Sequence, residues 1–514
     1  MRRVREVLGL SQREMAREFK VAHGAIAGWE SGNRTLPGPV SKLLELYEEE
    51  LGLCEDETGI GTLKTSGAAR NLALSQLAGN VLIRTVGGML ARWLGGDEPS
   101  NAVTARAQVA LARNVAEALG ELKGLVMKAA QTLGYVDFLL SEAAQLELNT
   151  LMTASPPLRP SVVTQLFLED HGQLPRQLFC EWSQKPFAVG SVGQVHRAAL
   201  DDGQLVAVKV QYPGIVETLD ADLKSIKTLD RLSSFIFRGQ ERGVFWTELR
   251  ERLSEECDYR IEAQNQEEFR LRWAGQPGLR IPRVLTPRSS RRILVSELVE
   301  GESFDSFRNR ATPSERDRAG ALIYRFFVES FCRHGVFNAD PHPGNYLFVD
   351  GDVVMLDFGC VKRMKPAQVG WWRALLRCYL ERRFDAARQL LIDAGMIPDP
   401  SRYDFDCHHR MVLTTYQFCL RDTPFRFDTA YMRRLIAARG RENRGKFRVN
   451  LGKDWLFANR MALGLFALLA RLEARGDFRG VLLEMLYEPW EARPAPYSDT
   501  ELSLLGSVRA RNEE

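Results

Sequence analysis

The 514-residue chain lacks the features of membrane-spanning and secreted proteins. It has no run of about 18 apolar residues, so no membrane-spanning helix is predicted. No apolar core follows the Met-Arg-Arg start, so no signal peptide is predicted. The longest apolar stretches, 81–94 and 461–470, are interpreted first as core-facing helices, with peripheral membrane contact as the minor alternative. We therefore expect a cytoplasmic protein, or one held peripherally at a membrane.

Cysteine pairs and strong net charge are also missing. The eight cysteines form no CxxC pair, which argues against a disulfide framework and a zinc site. A net charge of +3 does not by itself demand a nucleic-acid partner. Residues 433–453, however, carry eight basic side chains against one acidic. A solvated face is the first interpretation of this run, and an anionic lipid surface is the alternative.

Residues 10–37, "LSQREMAREFKVAHGAIAGWESGNRTLP", predict two short helices joined by a tight turn. Ser11 and Glu14 have the spacing of a capping box. The pattern resembles the phage-repressor (Cro-type) helix-turn-helix, whose second helix enters the major groove of DNA. On that helix only His23 could reach a base edge, and Arg34 could contact a phosphate. Binding of DNA and use of the fold for protein contact both stay open.

Residues 187–210, "FAVGSVGQVHRAALDDGQLVAVKV", predict a loop and a β-hairpin around an Asp-Asp-Gly turn. Gly190 and Gly193 would let backbone N–H groups approach a phosphate. Lys209 lies in an apolar strand, where a cation is costly without an anionic partner. Protein kinases combine a Gly-rich loop over the phosphates with a Lys on the following strand. The predicted phosphate-binding loop comprises Ala188, Val189, Gly190, Ser191, Val192 and Gly193.

Residues 338–359, "NADPHPGNYLFVDGDVVMLDFG", crowd acids and amides into one short segment. Asp340 is followed five residues later by Asn345, and a DFG begins at Asp357, the kinase order of catalytic Asp, Asn and DFG. Asn345 and Asp357 offer the oxygen ligands that Mg²⁺ prefers, and Asp340 could orient or deprotonate a hydroxyl or water. Asp350 and Asp352 are assigned to a solvated hairpin turn.

These motifs together resemble the UbiB/AarF-type atypical kinases, linked to ubiquinone and lipid metabolism. The resemblance is carried by "GSVGQVHRA", "ECDYRIEA", "NADPHPGN" and "LDFG", and extends from about residue 68 to about residue 486. It implies that Glu262 pairs with Lys209 and that Glu297 and Val299 belong to the hinge that holds adenine. It also implies a lid helix over the active site, with a KxGQ-like motif that pairs with an ExD motif. The implied lid residues are Lys128, Gln131, Glu256 and Asp258.

Two positions depart from that family's pattern. Its loop usually reads Ala-Ala-Ala-Ser, whereas here Gly190 replaces an Ala, and Ala130 replaces the Gly of KxGQ. The extra glycine frees the backbone for closer phosphate approach. We hypothesise that nucleotide preference is therefore closer to that of ordinary ATP-dependent kinases.

The predicted fold is α+β: a bilobal protein-kinase-like fold with an N-terminal helical extension, preceded by a small all-α helix-turn-helix domain. Expected cofactors are ATP or ADP with Mg²⁺. No APE motif or long activation segment follows the DFG, which favours a lipid or quinone-pathway acceptor, or ATP hydrolysis, over a peptide. The alternative function is a DNA-binding regulator whose kinase-like domain senses nucleotide. Predicted domains are 1–50 helix-turn-helix, 51–67 linker, 68–160 extension, 161–300 N-lobe, 301–490 C-lobe and 491–514 tail.

Overall fold

The computed structural model describes residues 1–7, 10–50, 157–190, 192–215, 257–439, 449 and 453–502. The predicted lid residues Lys128, Gln131 and Glu256 lie outside the described residues, as does Ser191 of the loop. Most of the basic run 433–453 and all of the stretch 81–94 also lie outside them.

The N-terminal residues form four helices: α1 Arg2–Val7, α2 Gln12–Glu18, α3 His23–Glu30 and α4 Gly38–Glu50. The predicted capping box is present, because the Ser11 hydroxyl accepts from the Glu14 N–H and the Glu14 carboxylate accepts from the Ser11 N–H. Met15, Ile26 and Tyr47 are buried in one small apolar core. The two short helices thus lie where the sequence predicts them, while DNA binding stays a prediction.

These helices pack on the first helix pair of the kinase-like region, α5 Pro160–His171 and α6 Pro175–Leu178. The Arg176 guanidinium lies 3.2 Å from the ring centroid of Tyr47, and Leu174 is buried within the N-terminal core. Gln177 donates to the Glu18 carboxylate at 3.3 Å. The N-terminal helices therefore contact the N-lobe directly through described side chains.

The N-lobe is a five-stranded antiparallel sheet with one long helix, α7 Tyr259–Arg272, beside it. The hairpin predicted around the Asp-Asp-Gly turn is confirmed by the register, in which Val195 pairs with Lys209 and Gly193 with Gln211. Val206, Val208 and Val210 point into the core with no exposed surface, so Lys209 faces the opposite side. The strands are β1 Glu181–Trp182, β2 Ala188–Val189, β3 Gly193–Ala199, β4 Leu205–Gln211 and β6 Ile293–Glu297.

The C-lobe is mainly helical around a large apolar core. Its described helices are α8 Phe304–Arg310, α9 Pro313–His334, α10 Pro366–Leu380, α11 Phe384–Asp393, α12 Phe405–Thr415, α13 Thr429–Arg439, α14 Lys453–Leu472 and α15 Phe478–Leu486. Helix α9 begins after a capping box at Thr312 and ends at Gly335, whose φ of 61° suits glycine. The capping box and the glycine therefore determine where this helix begins and ends.

Short strand pairs at the lobe boundary carry the segment 338–359. They are β5 Leu279–Arg280, β7 Glu302–Ser303, β8 Val336–Asn338, β9 Tyr346–Val349, β10 Asp352–Met355 and β11 Val361–Arg363, with β12 Phe425–Arg426 and β13 Arg475–Gly476 elsewhere in the lobe. The turn between β9 and β10 has positive φ at Asp350 (50°) and Gly351 (88°), the Asp-Gly geometry of a tight hairpin. Asp350 is exposed there, as predicted.

The apolar stretch 461–470 lies within α14, where Leu465, Phe466 and Leu469 are buried in the C-lobe core. Among the described residues, no helix is both long and apolar enough to cross a membrane. None of the seven described cysteines is in a disulfide bond; six are buried, and Cys180 is exposed.

Candidate active site

Lys209 and Glu262 meet in the cleft beside the N-lobe sheet. The Lys209 ammonium lies 2.8 Å and 2.9 Å from the two carboxylate oxygens of Glu262. Strand β4 presents Lys209 away from the core, and the first turn of α7 presents Glu262, which is 4% exposed. Burial alone would lower the pKa of Lys209, but the carboxylates of Glu262 and Asp357 outweigh it and hold that pKa well above its usual value.

Asp357 joins the same ion-pair network from the C-lobe side. Its Oδ2 lies 3.4 Å from the Lys209 ammonium, and its Oδ1 accepts from the Gly359 N–H at 2.9 Å. Phe358 is fully buried, with its ring centroid 5.0 Å from that of Phe269 on α7. The DFG segment is therefore packed onto the same helix that carries Glu262, with the carboxylate turned toward Lys209.

Asp340 and Asn345 lie together at the end of β8. The Asn345 amide donates to the backbone oxygen of Asp340 at 3.0 Å and to its carboxylate at 3.4 Å. His342 accepts from the Gly344 N–H at 3.1 Å and so caps the turn Pro343–Asn345. This contact gives His342 a structural role in holding the loop.

Asn338 links these two halves of the site, and motif matching assigns it no role. Its amide nitrogen donates to the Asp357 backbone oxygen at 2.7 Å, while its amide oxygen accepts from the Asp340 N–H at 2.9 Å. One buried side chain thus fixes the backbones of both acids relative to each other. The only sequence signal was its position two residues before Asp340, at the end of an apolar strand.

The predicted phosphate loop forms a tight turn between β2 and β3. The Gly190 N–H donates to the Gly193 carbonyl at 2.8 Å. A Cβ added at Gly190 would meet only that carbonyl, at 3.5 Å, whereas one at Gly193 would lie 2.4 Å from the Val210 carbonyl and 2.7 Å from the Tyr259 hydroxyl. Gly190 therefore has free space beside it, and Gly193 is a glycine because the loop end packs directly on β4 and α7.

The predicted hinge residues lie at the end of β6. The backbone N–H of Glu297 donates to the Arg283 carbonyl at 2.9 Å, and the Leu298 N–H donates to the Leu205 carbonyl at 3.1 Å. The Glu297 carboxylate pairs with Arg280, so any contribution to adenine binding would come from its backbone. Val299 is half-buried in the segment that leads to the C-lobe.

The donor set fits Mg²⁺ only together with a nucleotide. Among the described residues, no group of three or more His, Cys, Asp or Glu side chains could hold a metal ion; Cys407, His408 and His409 therefore form no such site. Asn345 and Asp357 supply hard oxygen atoms, and Mg²⁺ in kinase-type sites takes its remaining ligands from phosphates and water. The two residues match that requirement.

Asp258, the one described lid residue, caps α7. Its carboxylate accepts from the Arg260 backbone N–H at 3.0 Å and pairs with the Arg260 guanidinium at 2.6 Å. The hydrogen bond from the Arg260 side chain is the main reason that the pKa of Asp258 is lowered. In this structure Asp258 thus orients the helix that carries Glu262, and a contact with the predicted lid stays a prediction.

Helix α14 covers the C-lobe side of the catalytic loop. A Cβ on Gly464 would lie 2.5 Å from Cγ of Pro341, so this glycine allows α14 to touch the residue after Asp340. Near the start of α14, Asp454 pairs with the buried Lys362 of β11 at 3.0 Å. The chain after the DFG is therefore held by α14 and continues directly into α10.

Known proteins match the kinase-like part of the chain. Residues 150–390 match the model of the ABC1 atypical kinase-like domain. AarF domain-containing protein kinase 1 of Xenopus tropicalis is 30% identical over 268 residues, which is 49% of this chain and 51% of that protein. The mitochondrial atypical kinase coq-8 of Caenorhabditis elegans is 30% identical over 255 residues, 48% of this chain and 34% of that protein. The matches thus span about half of these curated relatives or less.

One solved structure resembles most of the chain. It is the complex of Rv3197 with erythromycin from Mycobacterium tuberculosis, with a TM-score of 0.57 and 27% sequence identity. The similarity covers 75% of this chain and 99% of that one.

Proposed function

We propose, on the premise that this chain carries an ABC1/UbiB (AarF) atypical kinase-like domain, that it is a Mg²⁺-dependent ATP-using kinase or ATPase. The observation that carries the proposal is the network in which Lys209 contacts both Glu262 and Asp357. Three charged groups from two lobes would be costly to desolvate together without a function that uses them.

Each residue has a role that its position supports. Lys209 would contact the phosphates under the loop 188–193, with Glu262 holding its ammonium in place. Asn345 and Asp357 would hold Mg²⁺, which when bound neutralises charge on the phosphates. Asp340 would orient the attacking hydroxyl or water. Asn338 would hold Asp340 at a fixed position relative to Asp357. Positioning and charge neutralisation are the main sources of rate in this chemistry.

We propose a non-peptide acceptor, in quinone or isoprenoid-lipid metabolism. The DFG segment leads within a few residues into β11 and α10, which supports the absence of a peptide-docking segment. The name of the relative coq-8 agrees with this direction. Hydrolysis of ATP without an acceptor is the simplest form of the same activity.

The test is phosphate release from ATP by the full chain with Mg²⁺, with and without vesicles of anionic or neutral lipid. Asp357→Asn should lower turnover by about 100-fold or more. Asp350→Asn is the matched control, because Asp350 is exposed at a positive φ that Asn tolerates. Full activity of Asp357→Asn would overturn the site. Stimulation by anionic vesicles alone would support peripheral membrane contact.

A second proposal, DNA binding, rests on the geometry of α3. His23 is exposed at the first position of this helix, and the Arg34 side chain packs over Gly28, so that a Cβ there would lie 3.0 Å from its Cδ. His23 is thus presented by α3 itself, and Arg34 by the segment that follows the helix and packs against it. A gel shift with random duplex should show complexes that weaken steeply with salt; no complex at low salt would remove this proposal.

A further inference from the structure

Tyr259 carries a buried hydroxyl without a partner. The residue has no exposed surface, and among the described residues its hydroxyl makes no hydrogen bond. Tyr259 is the first residue of α7, three positions before Glu262, so the two side chains project from the same face of the helix. An unmade hydrogen bond in a buried position costs free energy, so this hydroxyl calls for an explanation.

Its surroundings are those of the proposed phosphate site. The Lys209 ammonium lies 5.0 Å from the Tyr259 ring centroid. The hydroxyl lies under the end of the glycine loop, because a Cβ on Gly193 would come within 2.7 Å of it. Gly193 shares a sheet face with Lys209, since cross-strand pairs join Gly193 to Gln211 and Val195 to Lys209. The hydroxyl is therefore near the loop end, on the sheet face that carries Lys209, and the Tyr259 ring lies beside the cation.

A missing partner is not by itself the signal. The hydroxyls of Tyr212 and Tyr324 are also buried without a partner in the described part of the chain. Tyr324 is surrounded by C-lobe aromatic rings, including Phe418 and Phe478, and Tyr212 belongs to the apolar N-lobe core. Of these three tyrosines, Tyr259 is the one whose ring lies near the Lys209 ammonium and whose hydroxyl lies beside the loop end.

We propose that the Tyr259 hydroxyl donates a hydrogen bond to a phosphate oxygen of the bound nucleotide. This inference rests on the proposed function, since it names a further ligand of the same site. Burial is the main cause that raises the pKa of Tyr259, and Glu262 and Asp357 add to it against the opposing effect of Lys209. The hydroxyl therefore keeps its proton at neutral pH and can act as a donor, which is what a phosphate oxygen requires. Lys209 supplies charge, and Tyr259 supplies a neutral, directional contact beside it.

The experiment compares Tyr259→Phe with the parent and with Tyr324→Phe, a control with the same chemical change far from the cleft. Melting temperatures are recorded without ligand, and affinities are measured for Mg·ADP and for adenosine. Without ligand, Tyr259→Phe should be at least as stable as the parent, because it removes a polar group that has no partner. Its affinity for Mg·ADP should fall about tenfold to a hundredfold, while its affinity for adenosine stays unchanged. Tyr324→Phe should bind both ligands like the parent.

Three outcomes would overturn the inference alone, and a fourth would overturn the proposed function as well. If Tyr259→Phe binds Mg·ADP like the parent, the hydroxyl does not contact phosphate. If it loses ADP and adenosine equally, the effect is not on phosphate. If it is less stable than the parent without ligand while Tyr324→Phe is not, the hydroxyl has a structural partner. If the parent itself binds no nucleotide, the proposed function fails and the inference with it.

Discussion

Adding a methyl group to each of the two glycines in the loop between β2 and β3 should change the free energy of unfolding in opposite directions. In Gly193→Ala the new carbon would lie 2.4 Å from the Val210 carbonyl and 2.7 Å from the Tyr259 hydroxyl. Val210 cannot easily move, because its strand is paired with β3 on one side and β6 on the other. Overpacking of this kind costs about 1–3 kcal/mol. In Gly190→Ala the only close atom is the Gly193 carbonyl at 3.5 Å, so the loss of chain entropy in the unfolded state should stabilise by about 0.4–1 kcal/mol.

Equilibrium denaturation in urea, followed by tryptophan fluorescence, measures both free energies of unfolding in the absence of nucleotide. The two variants should differ by roughly 1–4 kcal/mol, with the parent between them. Equal stability of Gly193→Ala and the parent would refute the close packing of the loop on β4. Titration of Gly190→Ala with ATP and ADP then tests the hypothesis on nucleotide preference, and unchanged affinities for both would remove it.

Two further predictions use other parts of the kinase-like region. Gly464→Ala should lower ATP turnover, because its Cβ would press on Pro341 next to Asp340; Gly370→Ala, where nothing lies within 4 Å, is the control and should leave turnover unchanged. Equal turnover in both variants would contradict a role of α14 in placing the catalytic loop. Burial lowers the pKa of His196 to about 4, despite its contact with the Ser183 carbonyl. Between pH about 6.5 and about 4 the unfolded chain thus binds more protons than the folded one, and stability should fall as pH falls. His196→Asn should flatten this fall in melting temperature, and an unchanged slope would contradict the prediction.

The local sequence contained much of the candidate site. The hairpin that carries Lys209 follows from two β-type runs around an Asp-Asp-Gly turn, and the register confirms it. The Asp350–Gly351 turn follows from the requirement for positive φ at both residues. The spacing of Asp340, Asn345 and Asp357 places them at the ends of neighbouring short strands. These features are local, because turn chemistry and strand alternation act over a few residues.

The pairing of Lys209 with Glu262 was harder to predict from the local sequence, because the two residues are 53 positions apart. Resemblance to a family suggested the pair, but "ECDYRIEA" on its own predicts only an acidic amphipathic helix. The lid contacts of Lys128, Gln131 and Glu256 depend on the same resemblance and stay predictions, as does DNA binding through His23 and Arg34.

The sequence by itself determined which residue types could handle a phosphate and a magnesium ion, and in what order along the chain. Only the tertiary structure decided that Asn338 bonds to the backbones of both Asp340 and Asp357. It also decided which glycines are needed for close packing: Gly193 lies against Val210 and Tyr259, and Gly464 lies against Pro341. The physical reason is that propensity and spacing act between near neighbours, whereas close approach depends on which distant surfaces the packed core brings together.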